Sequence, residues 1–387
     1  MILPTTYVSA LLLLVLSFLA LGSWINTFKL AGKHWRFELF SIDFAIGALL
    51  LAVIAAFTLG SLGSDLAFTD RMLVAGHTAQ AIMIGAGFIF NLGNMLLLAA
   101  ASLLGLAGAF PLSIGVALIV ASCFGFHSGN WLFLISGIVL LGVAVFLDAN
   151  ACRARAQANA KKRVPAHASA ATNAQTETGV SREAMASSAA TAAATAKSRV
   201  STVVHGGTRV AHNSAPRKGK SRRTARGLLI AVLSGIALGL FYPVASRGPT
   251  GEFSLGPYAS LLMLSVGVLI STIIYNFYFL NISIDAEPVS FGAYFKGNAR
   301  QHFLGFLGGA LWASGMLAAA LALSVPSQTG PNPALQLILP VGSVLLVMLW
   351  GAVVWKEFPT AAAKLAIGLV AVFFTAGLVL LGIGIAR

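Results

Sequence analysis

Polar side chains within apolar segments are the residues of this 387-residue chain that could do chemistry. Such groups are costly inside a membrane and usually face a cavity or a partner. Asn91 and Asn94 are three residues apart, so they share one face of a helix. Two carboxamides together offer paired donors and acceptors, which suit a neutral polar solute. The alternative interpretation is that they hydrogen-bond to neighbouring helices and hold them together.

Aromatic residues and further amides extend this candidate site. An aromatic wall with a few amides is a recurring way to bind a flat or ring-shaped solute. Tryptophan near the end of a span also fits an interfacial belt, which is the simpler explanation. The candidate solute-binding residues are Trp24, Asn26, Asn91, Asn94, Tyr275, Asn276, Trp312 and Trp350.

Asp43 is the acidic residue placed within an apolar segment rather than at its edge. As a functional group it could take up and release a proton and so couple transport to a proton gradient. The alternative is a structural pairing with Arg36 or Lys29 near the end of the segment. The sequence leaves both interpretations open.

The composition defines the elements that must position these residues. The chain is 58% hydrophobic and only 9% charged, whereas soluble domains carry about 25% charged residues. A soluble enzyme and a disordered chain are both excluded, and an all-α polytopic membrane protein is predicted. Segments of about 20 apolar residues can cross a bilayer. Ten are predicted, at 4–27, 38–60, 76–101, 104–125, 130–148, 227–246, 257–280, 301–324, 333–354 and 361–384.

The segment 149–225 differs from the rest of the chain. It holds 14 of the 25 lysines and arginines but only 2 of the 11 acids. It is rich in Ala, Ser and Thr, so it cannot bury enough apolar surface to order itself. We predict a disordered basic linker between an N-terminal half, 1–148, and a C-terminal half, 226–387. Basic residues beside a membrane set topology or contact anionic lipid, so membrane lipid is an expected partner and nucleic acid is not.

The distribution of basic residues predicts an orientation. If 149–225 is cytoplasmic, the basic loops 28–37, 281–300 and 355–360 lie on the same side, as the positive-inside rule requires. Both termini are then extracytoplasmic. Because each half has five spans, an odd number, the halves would form two inverted five-helix repeats. The short loops and the Ala- and Arg-rich linker look bacterial, which would place the chain in the cell inner membrane.

Three segments resemble the ureide permease family of the drug/metabolite transporter (DMT) superfamily. They are 29–43, 90–94 (Phe-Asn-Leu-Gly-Asn) and 350–358 (Trp-Gly-Ala-Val-Val-Trp-Lys-Glu-Phe). The glucose/ribose porter branch is similar in outline. The resemblance implies ten helices with a solute site between two halves, and substrates such as allantoin, nucleobases or sugars, often moved with protons. It does not define the exact substrate, the coupling ion or the oligomeric state.

The leading prediction is a secondary active transporter that moves a small neutral polar solute by alternating access. No nucleophile–base pair, metal-ligand spacing or dinucleotide motif is present in the sequence, so no enzyme, cofactor or metal is expected. A competing prediction is a membrane sensor or scaffold whose basic segment 149–225 binds lipid or a partner. Deleting that segment would separate the two, because a transporter should keep its solute flux.

Overall fold

The computed structural model describes residues 1–32, 34–63, 65–125, 130–158, 217–247, 255–282, 284, 289–326 and 328–386. Within these ranges all regular secondary structure is helical. Residues Met1–Cys152 and Thr224–Arg387 form one compact unit, and every contact described below lies within it. Residues Arg153–Arg223 form a second unit, of which only the helical ends at 153–158 and 217–223 are described.

Twelve α-helices and two short irregular helices occupy the described residues. The α-helices are α1 Tyr7–Ser23, α2 Ile25–Ala31, α3 Phe37–Phe57, α4 Phe68–Val74, α5 Gly76–Leu104, α6 Leu106–Gly125, α7 Trp131–Ala158, α8 Arg217–Ala245, α9 Pro257–Phe279, α10 Ala299–Leu323, α11 Pro333–Leu349 and α12 Ala361–Ala386. A 3₁₀ helix covers Phe291–Lys296 and a π-helical turn covers Trp350–Val354.

Ten helical segments of the described chain are long and apolar enough to cross a membrane, which confirms the predicted spans. They are Tyr7–Ala31, Phe37–Phe57, Gly76–Leu104, Leu106–Phe124, Trp131–Ala158, Arg222–Ala245, Pro257–Phe279, Ala299–Leu323, Pro333–Val354 and Ala361–Ile385. The helices reach further into the predicted linker 149–225 than expected, because α7 continues to Ala158 and α8 begins at Arg217. The remainder of that segment, 159–216, lies outside the described residues.

Local sequence explains two helix ends that matter for the site. Helix α10 begins with a capping box, in which Asn298 accepts from the Gln301 N–H and Gln301 accepts from the Asn298 N–H. The first span is divided at Trp24 into α1 and α2. The backbone at Trp24 keeps helical angles, with φ −54° and ψ −37°, so the two helices form one nearly continuous span.

Helices α3 and α10 cross at very short range. A methyl group added to Gly309 of α10 would collide with the Phe44 carbonyl oxygen of α3. A methyl group added to Gly47 of α3 would collide with the Phe306 carbonyl oxygen of α10. Small residues permit this approach because they let two backbones touch, as is common between membrane helices.

Helices α5 and α9 repeat the same crossing. A methyl group added to Gly87 of α5 would collide with the Leu264 carbonyl oxygen of α9. A methyl group added to Gly267 of α9 would collide with the Ile84 carbonyl oxygen of α5. In both crossings each glycine meets a carbonyl three residues before the partner glycine. The second span of the first half (α3) therefore meets the third span of the second half (α10) in the same way as the third span of the first half (α5) meets the second span of the second half (α9).

Candidate functional site

Asn91 lies at the α5–α9 crossing and is almost fully buried. Its Nδ2 donates to the Val268 carbonyl oxygen at 3.2 Å, to Ser271 Oγ at 2.9 Å and to Thr272 Oγ1 at 3.0 Å. These bonds tie α5 to α9, as the packing interpretation expects. Its Oδ1 is buried and has no hydrogen-bond partner among the described residues.

Two other amides beyond the crossing are buried without a full set of partners. Asn94 and Asn276 are 2% and 1% exposed. Among the described residues, neither the Asn94 Nδ2 nor the Asn276 Nδ2 and Oδ1 has a hydrogen-bond partner. Both lie about one turn past the Asn91–Thr272 contact on helices that run side by side, so they occupy a similar level. A buried amide left unbonded costs about 1–3 kcal/mol, so these groups need a polar partner.

An aromatic cluster adjoins the amides. Trp312 stacks on Phe90 with ring centroids 4.6 Å apart and an interplanar angle of 25°. Its ring also lies 5.6 Å from Phe44, which in turn is 5.1 Å from Trp24. Phe90 is four residues before Asn94, so the two side chains share one face of α5. The structure therefore brings Trp24, Trp312 and Asn94 to one region, in which Trp312 stacks on Phe90 and Phe44 lies between the two tryptophans.

Tyr275, by contrast, is tied to the helix backbone. Its hydroxyl donates to the Phe88 carbonyl oxygen at 3.2 Å, and its ring lies against Phe88 with centroids 6.5 Å apart. The contact joins α9 to α5 beside the crossing. A role in holding these two helices together explains its position.

Trp350 and Asn26 lie where the first and ninth spans meet. Trp350 begins the π-helical turn, and its Nε1 is buried with no partner among the described residues. The Asn26 amide is already engaged, because its Oδ1 accepts from Trp355 Nε1 at 2.8 Å and its Nδ2 donates to the Ser23 carbonyl oxygen at 3.1 Å. Asn26 thus joins the first span to the end of the ninth.

A carboxylate links three spans beside this contact. Glu357 Oε1 pairs with Lys29 Nζ at 2.8 Å and accepts from the Leu106 N–H at 2.9 Å. Its Oε2 accepts from the Ala107 N–H at 2.9 Å. A carboxylate at the first turn of a helix is favoured by the unpaired N–H groups and the helix dipole. We call Asn26, Trp355, Lys29 and Glu357 the interhelical latch.

Asp43 is fully buried in a cluster that spans α3, α10 and the 3₁₀ helix. Tyr294 donates its hydroxyl to Asp43 Oδ1 at 2.5 Å, and His302 Nδ1 lies 3.0 Å from both carboxylate oxygens. The Trp35 ring packs against His302 at 5.0 Å. Burial, and then the adjacent Asp43 carboxylate, raise the pKa of the Tyr294 phenol above its usual range, so Tyr294 remains a donor.

The predicted structural pairing of Asp43 with Arg36 or Lys29 is wrong. Arg36 instead pairs with Glu38, two residues away on the same side, and Lys29 pairs with Glu357. Asp43 lies about a turn and a half inside α3. It fits beside α10 because residue 305 is a glycine, and a side chain at that position would collide with Asp43. The tertiary fold therefore selects partners for Asp43 from the second half of the chain.

Sequence reasoning missed Tyr294, His302 and the latch residue Trp355. Tyr294 lies in a predicted loop, and His302 lies at the edge of the predicted span 301–324. Polar residues are common at both kinds of position, so they do not indicate a functional site there. Helix α10 begins at Ala299, which places His302 inside the span. The sequence signal for this helix start is the Asn298–Gln301 capping box, which places His302 in the first turn of α10.

The fold and the site together define a class of protein. Ten apolar helices enclose neutral amides and stacked aromatic rings, and the described residues contain no group of three or more His, Cys, Asp and Glu side chains able to hold a metal ion. This arrangement is suited to binding a small polar solute within a membrane. The ten candidate spans define a multi-pass membrane protein.

Comparison with known proteins identifies the family. The ureide permease family matches residues 40–383, so the chain belongs to the ureide permease family. Ureide permease 4 of Arabidopsis thaliana is 22% identical over 95% of this chain and 95% of its own length. Ureide permease 2 of the same plant is 24% identical over 92% of this chain and 91% of its own. No solved structure matches the chain.

Membership of a permease family indicates a membrane transporter of a small-molecule solute rather than an enzyme. The matched residues extend over both halves of the chain. The sugar-porter branch, the DMT superfamily, the inner membrane and the orientation of the termini stay predictions.

Proposed function

We propose that this chain transports a ureide, such as allantoin, across the membrane by alternating access, with nucleobases and sugars as the other solute classes. The observation that carries the proposal is a pair of buried amides: Asn94 Nδ2 and both polar atoms of the Asn276 amide lack hydrogen-bond partners among the described residues. A ureide presents alternating N–H donors and C=O acceptors, as a carboxamide does. Each amide could therefore donate to and accept from such a solute.

The aromatic pair explains how a flat solute would be held. Phe90 and Trp312 now cover each other, and Asn94 lies on the Phe90 side of α5. A planar ureide or nucleobase could insert between the Phe90 and Trp312 rings, stack on both in place of their contact with each other, and reach the Asn94 amide. This geometry corresponds to a closed state in which the rings occupy the solute position.

The two matching glycine crossings support two inverted repeats. In each crossing, the glycine on either helix lies against a carbonyl of the other helix, three residues before that helix's own glycine. Phe90 and Trp312 occupy equivalent places, three residues after Gly87 and Gly309. Their stacking is what a two-fold axis through the middle of the chain would produce. Rocking of one half against the other about this axis would open the site alternately to either side.

The interhelical latch is the proposed gate on the side of the basic loops. It joins residues 26 and 29 to residues 355 and 357, and Glu357 also binds the start of α6. Opening on this side requires the Lys29–Glu357 pair to separate. Glu357→Gln keeps the shape but removes the charge, so we expect it to favour the state open to that side.

Solute counterflow into proteoliposomes tests the proposed substrate class. Labelled allantoin, uracil and two hexoses would be offered without an ion gradient, so no assumption about coupling is needed. We expect exchange of allantoin, with at least a tenfold loss in Asn94→Leu and Asn276→Leu, since one lost polar contact of about 1.4 kcal/mol is tenfold in affinity. Asn281→Leu, an exposed asparagine just past the end of the same span as Asn276, is the matched control and should keep full exchange.

The outcomes are distinct. If the wild type exchanges none of these solutes, the substrate class is wrong. If Asn94→Leu and Asn276→Leu exchange as well as the wild type, the amides are packing groups and the site lies elsewhere.

The proton-coupling proposal rests on the Asp43 cluster. Asp43 and His302 share a hydrogen bond within α3 and α10, so a proton gained or lost changes the attraction between these helices. Movement at this crossing and protonation would then depend on each other. Asp43→Asn should abolish pH-driven accumulation while sparing exchange, and accumulation that persists would contradict the coupling.

A further inference from the structure

An open groove lies between the ninth and tenth spans, away from the amides. It has a volume of about 710 Å³, and the residues that line it include Leu349, Val353, Lys356, Lys364 and Gly368. The side chains of Leu349 and Val353 are 56% and 60% exposed, so the groove faces the surroundings of the helices. Its floor includes Gly368, where an added methyl group would meet nothing within 4 Å.

Two lysines close one end of this apolar groove. Lys356 and Lys364 are exposed, and no acidic residue is among the described residues that line the groove. The nearest acid in sequence, Glu357, is held by Lys29 and by the start of α6. Among the described lining residues, the groove therefore has two lysines and no acid at one end, and its body is apolar.

The backbone fixes the position of Lys356. Its φ of 49° lies in the left-handed region, which a lysine rarely adopts. The strain is held in place because the Trp355 N–H donates to the Trp350 carbonyl oxygen and the Glu357 N–H donates to the Gly351 carbonyl oxygen, both at 3.0 Å. A left-handed residue followed by such a bond is a common way to end a helix, so the end of the ninth span sets the position of Lys356.

We propose that this groove binds an anionic phospholipid, with one acyl chain along the α11–α12 surface and the phosphate between Lys356 and Lys364. Basic pockets at one end of a gap between membrane helices suit anionic headgroups. The π-helical turn at Trp350–Val354 widens α11 just before the lysines, and such turns are often found at functional sites. A free phosphate would use the lysines alone, whereas a phospholipid also fills the apolar body beside Gly368.

Native mass spectrometry of the full-length protein tests this site. The protein would be equilibrated in detergent with equal amounts of phosphatidylglycerol and phosphatidylcholine, and the two bound forms compared. We expect the wild type to retain phosphatidylglycerol preferentially, by about tenfold or more for two lysines. Lys356→Asn with Lys364→Gln should remove the preference, and the substitution to asparagine suits the positive φ at residue 356. Lys296→Gln, another exposed lysine of the basic loops, should keep it.

A second variant tests the apolar part without changing charge. Gly368→Leu fills the groove and should abolish retention of both lipids. Gly142→Leu is the matched control, because an added methyl group there also meets nothing within 4 Å. A preference that survives loss of both lysines, or lipid retention unchanged in Gly368→Leu, would overturn the proposal. So would complete displacement of the lipid by millimolar inorganic phosphate, because that result would indicate a simple anion site.

Discussion

The α3–α10 and α5–α9 crossings have the same backbone contacts but opposite chemistry. In the first, Asp43 is buried with His302 and Tyr294. In the second, the positions that correspond to these residues through the matching glycines are Met263, Gln80 and Met72, and Gln80 Nε2 donates to the Met72 carbonyl oxygen at 2.8 Å. One crossing therefore holds a titratable cluster, and its counterpart holds a neutral contact.

The neutral amides show the reverse asymmetry. Asn91, Asn94 and Asn276 belong to the α5–α9 crossing, and the corresponding positions at the other crossing are Ala313, Met316 and Ala56. A shared backbone framework therefore carries different side chains. The glycines set how closely the helices approach, and the surrounding side chains make one crossing acidic and the other rich in neutral amides.

The largest expected effect comes from breaking either crossing. Gly309→Leu and Gly87→Leu would force the helices apart, and overpacking of this kind costs about 3 kcal/mol or more because the obstacle is backbone. The two variants should lose similar amounts of thermal stability in detergent. Gly85→Leu is the control, since its neighbourhood is open and its stability should be unchanged. Strongly unequal losses at the two crossings would contradict their equivalence.

Converting one crossing into the other gives the next largest effect. His302→Gln with Tyr294→Met installs the residues of the neutral crossing beside Asp43. We expect a folded carrier whose pH-driven accumulation falls about tenfold, because Asp43 has lost its proton-sharing partner. Gln80→His makes the reverse change and should add no pH dependence, since Met263 offers no acid. Uptake measured across a pH gradient would contradict the assignment if Gln80→His changed the response relative to the wild type, or if the His302→Gln, Tyr294→Met double variant kept the full response.

The stacked pair at the equivalent positions Phe90 and Trp312 should have a smaller effect. A double-mutant cycle with Phe90→Leu and Trp312→Leu should give a coupling energy of about 1 kcal/mol in thermal unfolding, as aromatic pairs do. Bound allantoin should raise the stability of the wild type more than that of either single variant. A coupling energy near zero would mean that the two rings do not act as a pair.

The smallest expected effect sharpens the packing role of Asn91. Ser271→Ala removes one of three acceptors for its Nδ2, so stability should fall by only about 0.5–1 kcal/mol. Counterflow should be unchanged, which separates Asn91 from Asn94. A loss of exchange without a loss of stability would instead assign Asn91 to the solute site.

The ten spans, the class of protein and the candidate amides could all be predicted from the amino-acid sequence. Apolar runs of about 20 residues predict membrane-spanning helices, because in the bilayer the backbone N–H and C=O groups must hydrogen-bond to each other and a helix satisfies all of them. Asn94 and Asn276 could be selected for the same reason, since amides are expensive in a membrane wherever they lie. The family resemblance added the expected architecture and solute class.

Which polar groups meet depends on how the helices pack, and this could not be predicted from the sequence. Asp43 and His302 are 259 residues apart, and Lys29 and Glu357 are 328 apart. No local pattern encodes such pairings, because they depend on which faces of two helices the glycines bring together. The same packing engaged Asn26 with Trp355 and left Asn276 without a partner among the described residues. Partner choice is a property of the packed helices, and the sequence supplied only the candidates.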